Sequence, residues 1–344
     1  MSARVLAGMV ALTVAVLSGG CRAPYLARLA YEEMRFLGSA TAATQLLATA
    51  QDPARRRALE ALLAVREFAA RQGLNVKGSY REVADTGSVS PFHVVTAAHQ
   101  DRLEPYTWWY PVIGAIPYRG YFDRESADRF AARLDGEGLD TMVVQASAYS
   151  TLGWLDDPLP SSVLERGEGA VVVTVLHELV HQTFFAPGEV AFNETLATAV
   201  AWRLAERYYA SSGETASAAK MNAARESWVR RSDVLDAAAA RLRAFFASAR
   251  ARGLPRQRML EERTAVYADI LSEIESADAT FAAGFAKDGL DNASFLATYR
   301  YATGGRAIDA FLAAMPSLED AFARLDAAIA RGENLRTVVA AAAN

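Results

Sequence analysis

The chain has 344 residues, 52% of them hydrophobic, with 36 Lys and Arg against 40 Asp and Glu, giving a net charge of −4. That length can bury a substantial core, and the mild acidity, with no basic patch interleaved with aromatics, excludes an obvious nucleic-acid partner. A single cysteine excludes an intrachain disulfide.

At the N-terminus, Arg4 precedes an apolar run from Val5 to Leu17, too short to span a bilayer as a settled helix but suited to the core of a secretory signal. The run ends in Leu17-Ser18-Gly19-Gly20-Cys21, small residues leading into the only cysteine. This resembles the lipobox of bacterial lipoproteins, although the leucine stands four residues before the cysteine rather than three. The resemblance implies a signal peptide over 1–20, acylation of Cys21 and a stable seat on a membrane surface. Arg22 in place of aspartate after the cysteine points to the outer membrane, facing the periplasm. An ordinary secretory signal and an uncleaved anchor are the alternatives.

Tyr25 to about Ala50 and Pro53 to about Gln72 read as helices, with Asp52-Pro53 as turn and helix start. From Ser90 the pattern changes. Phe92–Ala97 and Tyr110–Ile116 are short β-branched or aromatic runs bounded by proline and glycine, hence strands. Asp123 caps a helix through about Leu134, Gly136 and Gly138 end it, and Thr141–Gln145 is a further strand, suggesting one crossover unit in a small sheet. Beyond residue 194 the chain reads as almost all helix: Thr195–Ser211, about Glu214–Arg252, Arg256–Phe281, Ala293–Met315 interrupted or kinked at Gly304-Gly305, and Leu318–Arg331. Ala340 to Asn344 reads as a frayed tail.

The chemistry is concentrated in His177-Glu178-Leu179-Val180-His181. Residues four apart stack on one face of a helix, so both imidazoles can reach one metal ion. Glu178 lies about 100° around that helix, beside the ion, where a general base belongs. Zinc with an open position for water needs a third protein ligand. Glu194, in Phe192-Asn193-Glu194, follows across the Pro187-Gly188 turn signal and would open a second helix folded back on the first. Val173, Leu176, Val180 and Phe184 supply an apolar stripe that would make this helix without a metal. Burying two histidines beside a glutamate is costly, however, and a cation is the economical partner.

With these motifs the chain resembles a family of bacterial zinc aminopeptidases, lipoproteins of gluzincin type. Further stretches carry the resemblance: Arg66-Glu67-Phe68-Ala69 with Gly73-Leu74 and Ser79-Tyr80, Pro111-Val112-Ile113-Gly114 with Pro117 to Phe122, and Ala148 to Trp154 with Asp156-Asp157-Pro158. The match is looser from Asn292 to about Ala310, and the region around Ser90 to His93 departs from the family pattern. The resemblance implies an α+β, predominantly helical, zincin-like fold with a small mixed sheet and a large C-terminal helical part. Along the chain this gives a helical segment over 21–80 and a catalytic domain over 81–344. Within that domain the small sheet covers 90–155, the zinc helices 163–211 and the C-terminal helices 214–331.

The implied activity is peptide hydrolysis with one Zn²⁺ per chain, held by His177, His181 and Glu194, and Glu178 as base. In related gluzincins a tyrosine or histidine of a downstream helix stabilises the oxyanion; Tyr299 and Tyr301 are the candidates, Tyr299 preferred. Tyr149, Ser150, Thr151, Leu152 and Gly153 form the natural extended segment for binding a peptide backbone, with a rigid turn as the alternative. Thr198, Asp156 and Asp157 are candidates to support the ligating rings, or the aspartates to bind a substrate's α-amine. His93 and His99 read as surface or core residues rather than ligands, and Arg119 as the partner of a carboxylate, structural in preference to substrate-borne. The partners are then a peptide and a membrane, with no nucleic acid. A lipid-anchored scaffold with a structural zinc site is the competing reading, and an amidase acting on cell-wall peptides would share the same site.

Overall fold

The computed structural model describes residues 23–87, 90–110, 114–146, 156–286 and 289–342. In chain order the elements are α1 (Ala23–Gly38), β1 (Ala40–Ala42), α2 (Ala43–Thr49), α3 (Pro53–Arg71), β2 (Glu82–Ala84), β3 (His93–His99), β4 (Trp108–Tyr110), β5 (Gly114–Ile116) and β6 (Tyr118–Tyr121). There follow α4 (Arg124–Gly136), β7 (Leu139–Gln145), β8 (Leu159–Pro160), α5 (Ser161–Leu164), α6 (Glu168–Thr183), α7 (Val190–Ser211) and α8 (Thr215–Ala251). The chain closes with α9 (Arg256–Ala277), α10 (Ala279–Ala286), α11 (Asn292–Tyr299), α12 (Gly305–Ala314), α13 (Leu318–Ala330) and α14 (Leu335–Ala342). The fold is α+β and predominantly helical, with the described strands in small sheets ordered β1-β2-β8, β6-β3-β7 and β4-β5.

The chain divides into two compact units. The first comprises Met1–Val94, Gly120–Ser126 and Gln145–Thr183. In it β2 pairs antiparallel with β1 and parallel with β8. Asp52 starts α3 by accepting from the N–H groups of Ala54 and Arg55, and Pro53 fits the first turn, where no donor is needed. Leu59, Leu62 and Val65 of α3 are fully buried, and this helix packs along α6. A smaller aromatic cluster joins Phe36 and Phe92 edge to face at 5.1 Å.

The second unit comprises Val95–Arg119, Ala127–Val144 and Phe184–Asn344. Its core runs through Leu235, Leu242, Phe246, Ile270, Ile274 and Phe295. α8 is 37 residues long, roughly 55 Å at the helical rise. Gly305 opens α12 where that helix meets α8: a Cβ there would lie 2.5 Å from Ser232 Oγ and 2.9 Å from Trp228. Asp309 of α12 accepts from Arg203 of α7 at 2.8 Å and Arg225 of α8 at 2.8 Å, tying three helices together.

Several sequence expectations are corrected. The helix expected over Tyr25–Ala50 is broken by β1, because Gly38-Ser39 ends α1 and the β-branched Thr41 pairs with Val83. The strand expected over Tyr110–Ile116 is instead two short strands, β4 and β5, paired antiparallel from Trp108↔Ile116 to Tyr110↔Gly114. The helix expected over Arg256–Phe281 stops at Ala277, where Asp278 turns extended and caps α10 through its bond from Phe281 N–H. Ala293–Met315, by contrast, is interrupted at Gly304-Gly305 as expected, giving α11 and α12 parted by the left-handed Gly304 at φ 68°. The tail is ordered as α14 through Ala342, because Leu335 and Val339 bury an apolar face.

Candidate metal centre

α6 forms because Val171, Val172, Val175, Leu176, Leu179 and Val180 give it a broad buried apolar face along one side, leaving the other to His177 and His181. His177 and His181 share one face, with ring centroids 4.9 Å apart and their Nε2 atoms 3.2 Å apart. His181 is buried, whereas His177 and Glu178 are half-buried. The chain then turns through Pro187 and the left-handed Gly188 at φ 80° into α7. Glu194 therefore sits just inside α7, which begins at Val190, earlier than the helix start expected at residue 194 or 195.

Side-chain bonds fix the backbone on either side of Glu194. Asn193, buried, donates from Nδ2 to the carbonyl of Ala186 at 2.8 Å and accepts from the Ala186 N–H at 2.9 Å. Its amide thus pairs with both polar groups of one residue and seals the turn. Thr195, fully buried, places Oγ1 3.0 Å from the Arg300 carbonyl and 2.8 Å from that of Ala191. Thr198 donates to the Glu194 main-chain oxygen at 2.8 Å, so that hydroxyl serves the helix backbone.

One ligand atom each from His177, His181 and Glu194 lies within 4.8 Å of the other two, the only such three-residue group of His, Cys, Asp or Glu among the described residues. Two Zn–N bonds of about 2.0–2.1 Å at a tetrahedral angle would set their nitrogens roughly 3.3–3.4 Å apart. The observed imidazole spacing of 3.2 Å agrees. Two neutral rings could share a proton across that distance, but a carboxylate converging on both completes the His₂Glu donor set of catalytic zinc. The residues fit the ion.

The other candidates lie in defined surroundings. Tyr299 is buried, stacks on Phe295 at 5.4 Å and donates its hydroxyl to Asp236 Oδ1 at 2.6 Å. Burial, then the bond to Asp236, raises the phenol's pKa, and burial raises that of Asp236. Tyr301 is 43% exposed, and its carbonyl accepts from Trp228 Nε1. His93 Nδ1 contacts the Pro91 carbonyl at 2.9 Å, and the His99 ring tilts against Tyr106. Arg119 lies over the Phe130 ring at 4.5 Å. Asp156 accepts from the Gly78 N–H and buried Asp157 donates its N–H to Ser79 Oγ. Tyr149, Ser150, Thr151, Leu152, Gly153 and Cys21 lie outside the described residues.

A family model described as "Putative aminopeptidase" matches residues 24–336. The chain belongs to this family. No curated protein and no solved structure matches it. The family match spans the His177–His181–Glu194 group and both compact units, and it makes the chain a peptidase by family. The clasp from Asn193 to Ala186 is not visible in the sequence. Its only sequence signal is a polar residue amid the apolar positions of α7, and its partner is backbone, which no side-chain pattern reveals.

Proposed function

We propose that this chain is a zinc-dependent aminopeptidase in which His177, His181 and Glu194 hold one Zn²⁺. The observation that carries this reading is the convergence of the three donor atoms within 4.8 Å. When bound, the ion supplies Lewis acidity and lowers the pKa of water. Glu178, half-buried and one position past His177, takes a proton from the attacking water and returns it to the departing amine. Oxyanion stabilisation falls to Tyr299 or Tyr301. Tyr299, whose hydroxyl donates to Asp236, is the preferred candidate. Residues Tyr149 to Gly153 bind the peptide backbone, and an acylated Cys21 seats the enzyme on the outer membrane, facing the periplasm. Among the described residues, no helix is long and apolar enough to cross a membrane.

Hydrolysis of aminoacyl and longer peptide substrates, measured with and without a chelator, tests the reading against that of a scaffold with structural zinc. Chelation should abolish turnover and added zinc restore it. Glu178→Gln should lower kcat by about 10²–10⁴-fold, the usual worth of a positioned base, at unchanged zinc content. Chelator-insensitive turnover, or a zinc-loaded wild type inert on every peptide, would overturn it.

A further inference from the structure

Two non-glycine residues take positive φ among the described residues, Lys77 at 36° and Tyr80 at 59°, and both belong to one loop. Left-handed backbone is unfavourable for residues bearing a Cβ, so such strain persists only where surrounding contacts impose it. Ending α3 does not require it. Gly73, at φ 83°, already turns the chain out of that helix, and the Leu74 N–H bonds back to Ala69.

The strained loop instead reaches the last turn of α6. Asn75 donates its N–H to Thr183 Oγ1 at 2.9 Å and its side-chain amide to the Gln182 carbonyl at 3.4 Å. Ser79, 1% exposed, accepts from Gln182 Nε2 at 3.0 Å and from the Asp157 N–H at 3.2 Å. Gln182 and Thr183 directly follow His181. The loop is in turn held from behind. Arg66 of α3 donates to the carbonyls of Lys77 and Ser79, Tyr80 N–H donates to the Asp157 carbonyl at 2.7 Å, and Gly78 N–H donates to Asp156. A Cβ on Gly78 would fall 2.2 Å from that carboxylate, so a larger residue would push the Asp156 side chain off its bond to the Gly78 N–H.

We propose that the Asn75–Tyr80 loop is a positioning clamp for the metal centre, with Ser79 as the residue that fixes the Gln182 end of α6 and thereby the aim of the His181 ring. The proposal rests on the zinc reading above. A ring held by its helix end loses few orientations on binding the ion; a loosened end lets the ring wander and weakens the site.

The test compares Ser79→Ala and the near-isosteric Gln182→Met with a control, Phe246→Leu, a core substitution within α8. For the full chain, Zn²⁺ affinity is measured by competition with a chromophoric chelator, and ligand geometry by the visible absorption of the Co²⁺ form. Ser79→Ala and Gln182→Met should each lower Zn²⁺ affinity about 10-fold, the lower end of the effect of removing support from a ligand. Both should shift the Co²⁺ band, whereas Phe246→Leu should lower Tm and leave both readouts unchanged. Unchanged affinity and absorption in both clamp variants overturns the proposal, as does a control that loses affinity in step with Tm. A wild type that binds neither ion defeats the zinc reading instead. The clamp is then judged on the His181 ring resonances by NMR, which must respond to Ser79→Ala and not to Phe246→Leu.

Discussion

Glu33 makes the stability of the fold depend on pH. Both of its carboxylate oxygens are buried and have no hydrogen-bond partner among the described residues. Burial, and secondarily the charge of Asp157, push its pKa from 4.5 up to about 8. Between those values the folded chain retains a proton that the unfolded chain has lost. This group's contribution is therefore favourable below about pH 4.5 and declines as the pH rises towards 8. Glu33→Gln should remove that slope and stabilise the protein at pH 8 by a few kcal/mol relative to wild type, as read by urea unfolding at pH 5 and pH 8. At this scale the sequence showed what spacing encodes. His177, His181 and Glu194 are recognisable because helical periodicity forces their approach. Asn193, Ser79 and Glu33 are not, because their roles depend on backbone partners or on burial that only tertiary structure supplies.

Among the elements, the meeting of α8 and α12 depends on the absence of a side chain at Gly305. Ser232 Oγ accepts from the Gly305 N–H and donates to the Ala302 carbonyl, so it cannot swing away from an added methyl without losing both bonds. Gly305→Ala should cost about 1–3 kcal/mol, the usual range for overpacking, measured by chemical denaturation with zinc present. The interruption at Gly304-Gly305 was legible, since paired glycines break a helical pattern. The break after α1 was not: Gly38 alone is weak against an alanine-rich run, and β1 exists only because β2 lies beside it. β2 and β8 went unread for the same reason, being three and two residues long and buried.

For the whole molecule, a ligand that binds only the folded chain raises its stability by mass action. If the donor set takes zinc, free Zn²⁺ at a thousandfold excess over Kd adds about 4 kcal/mol. Scanning calorimetry should then show Tm rising by several degrees on adding zinc to the wild type and not moving for His181→Ala; equal responses would refute specific binding at this centre. The predominantly helical class was readable from composition and period, because an α-helix closes its hydrogen bonds within one stretch of chain, and α7 to α14 follow one another along the sequence.

The three donors are drawn from residues 177 to 194, a stretch of eighteen. Closing a loop that short forfeits less chain entropy than joining Val83 to Leu159, which register side by side across the first sheet. Gathering the donor set is thus the work of two consecutive helices and the tight bend that Asn193 fastens, so a cation taken there would draw on a local piece of chain rather than on strands brought together from afar.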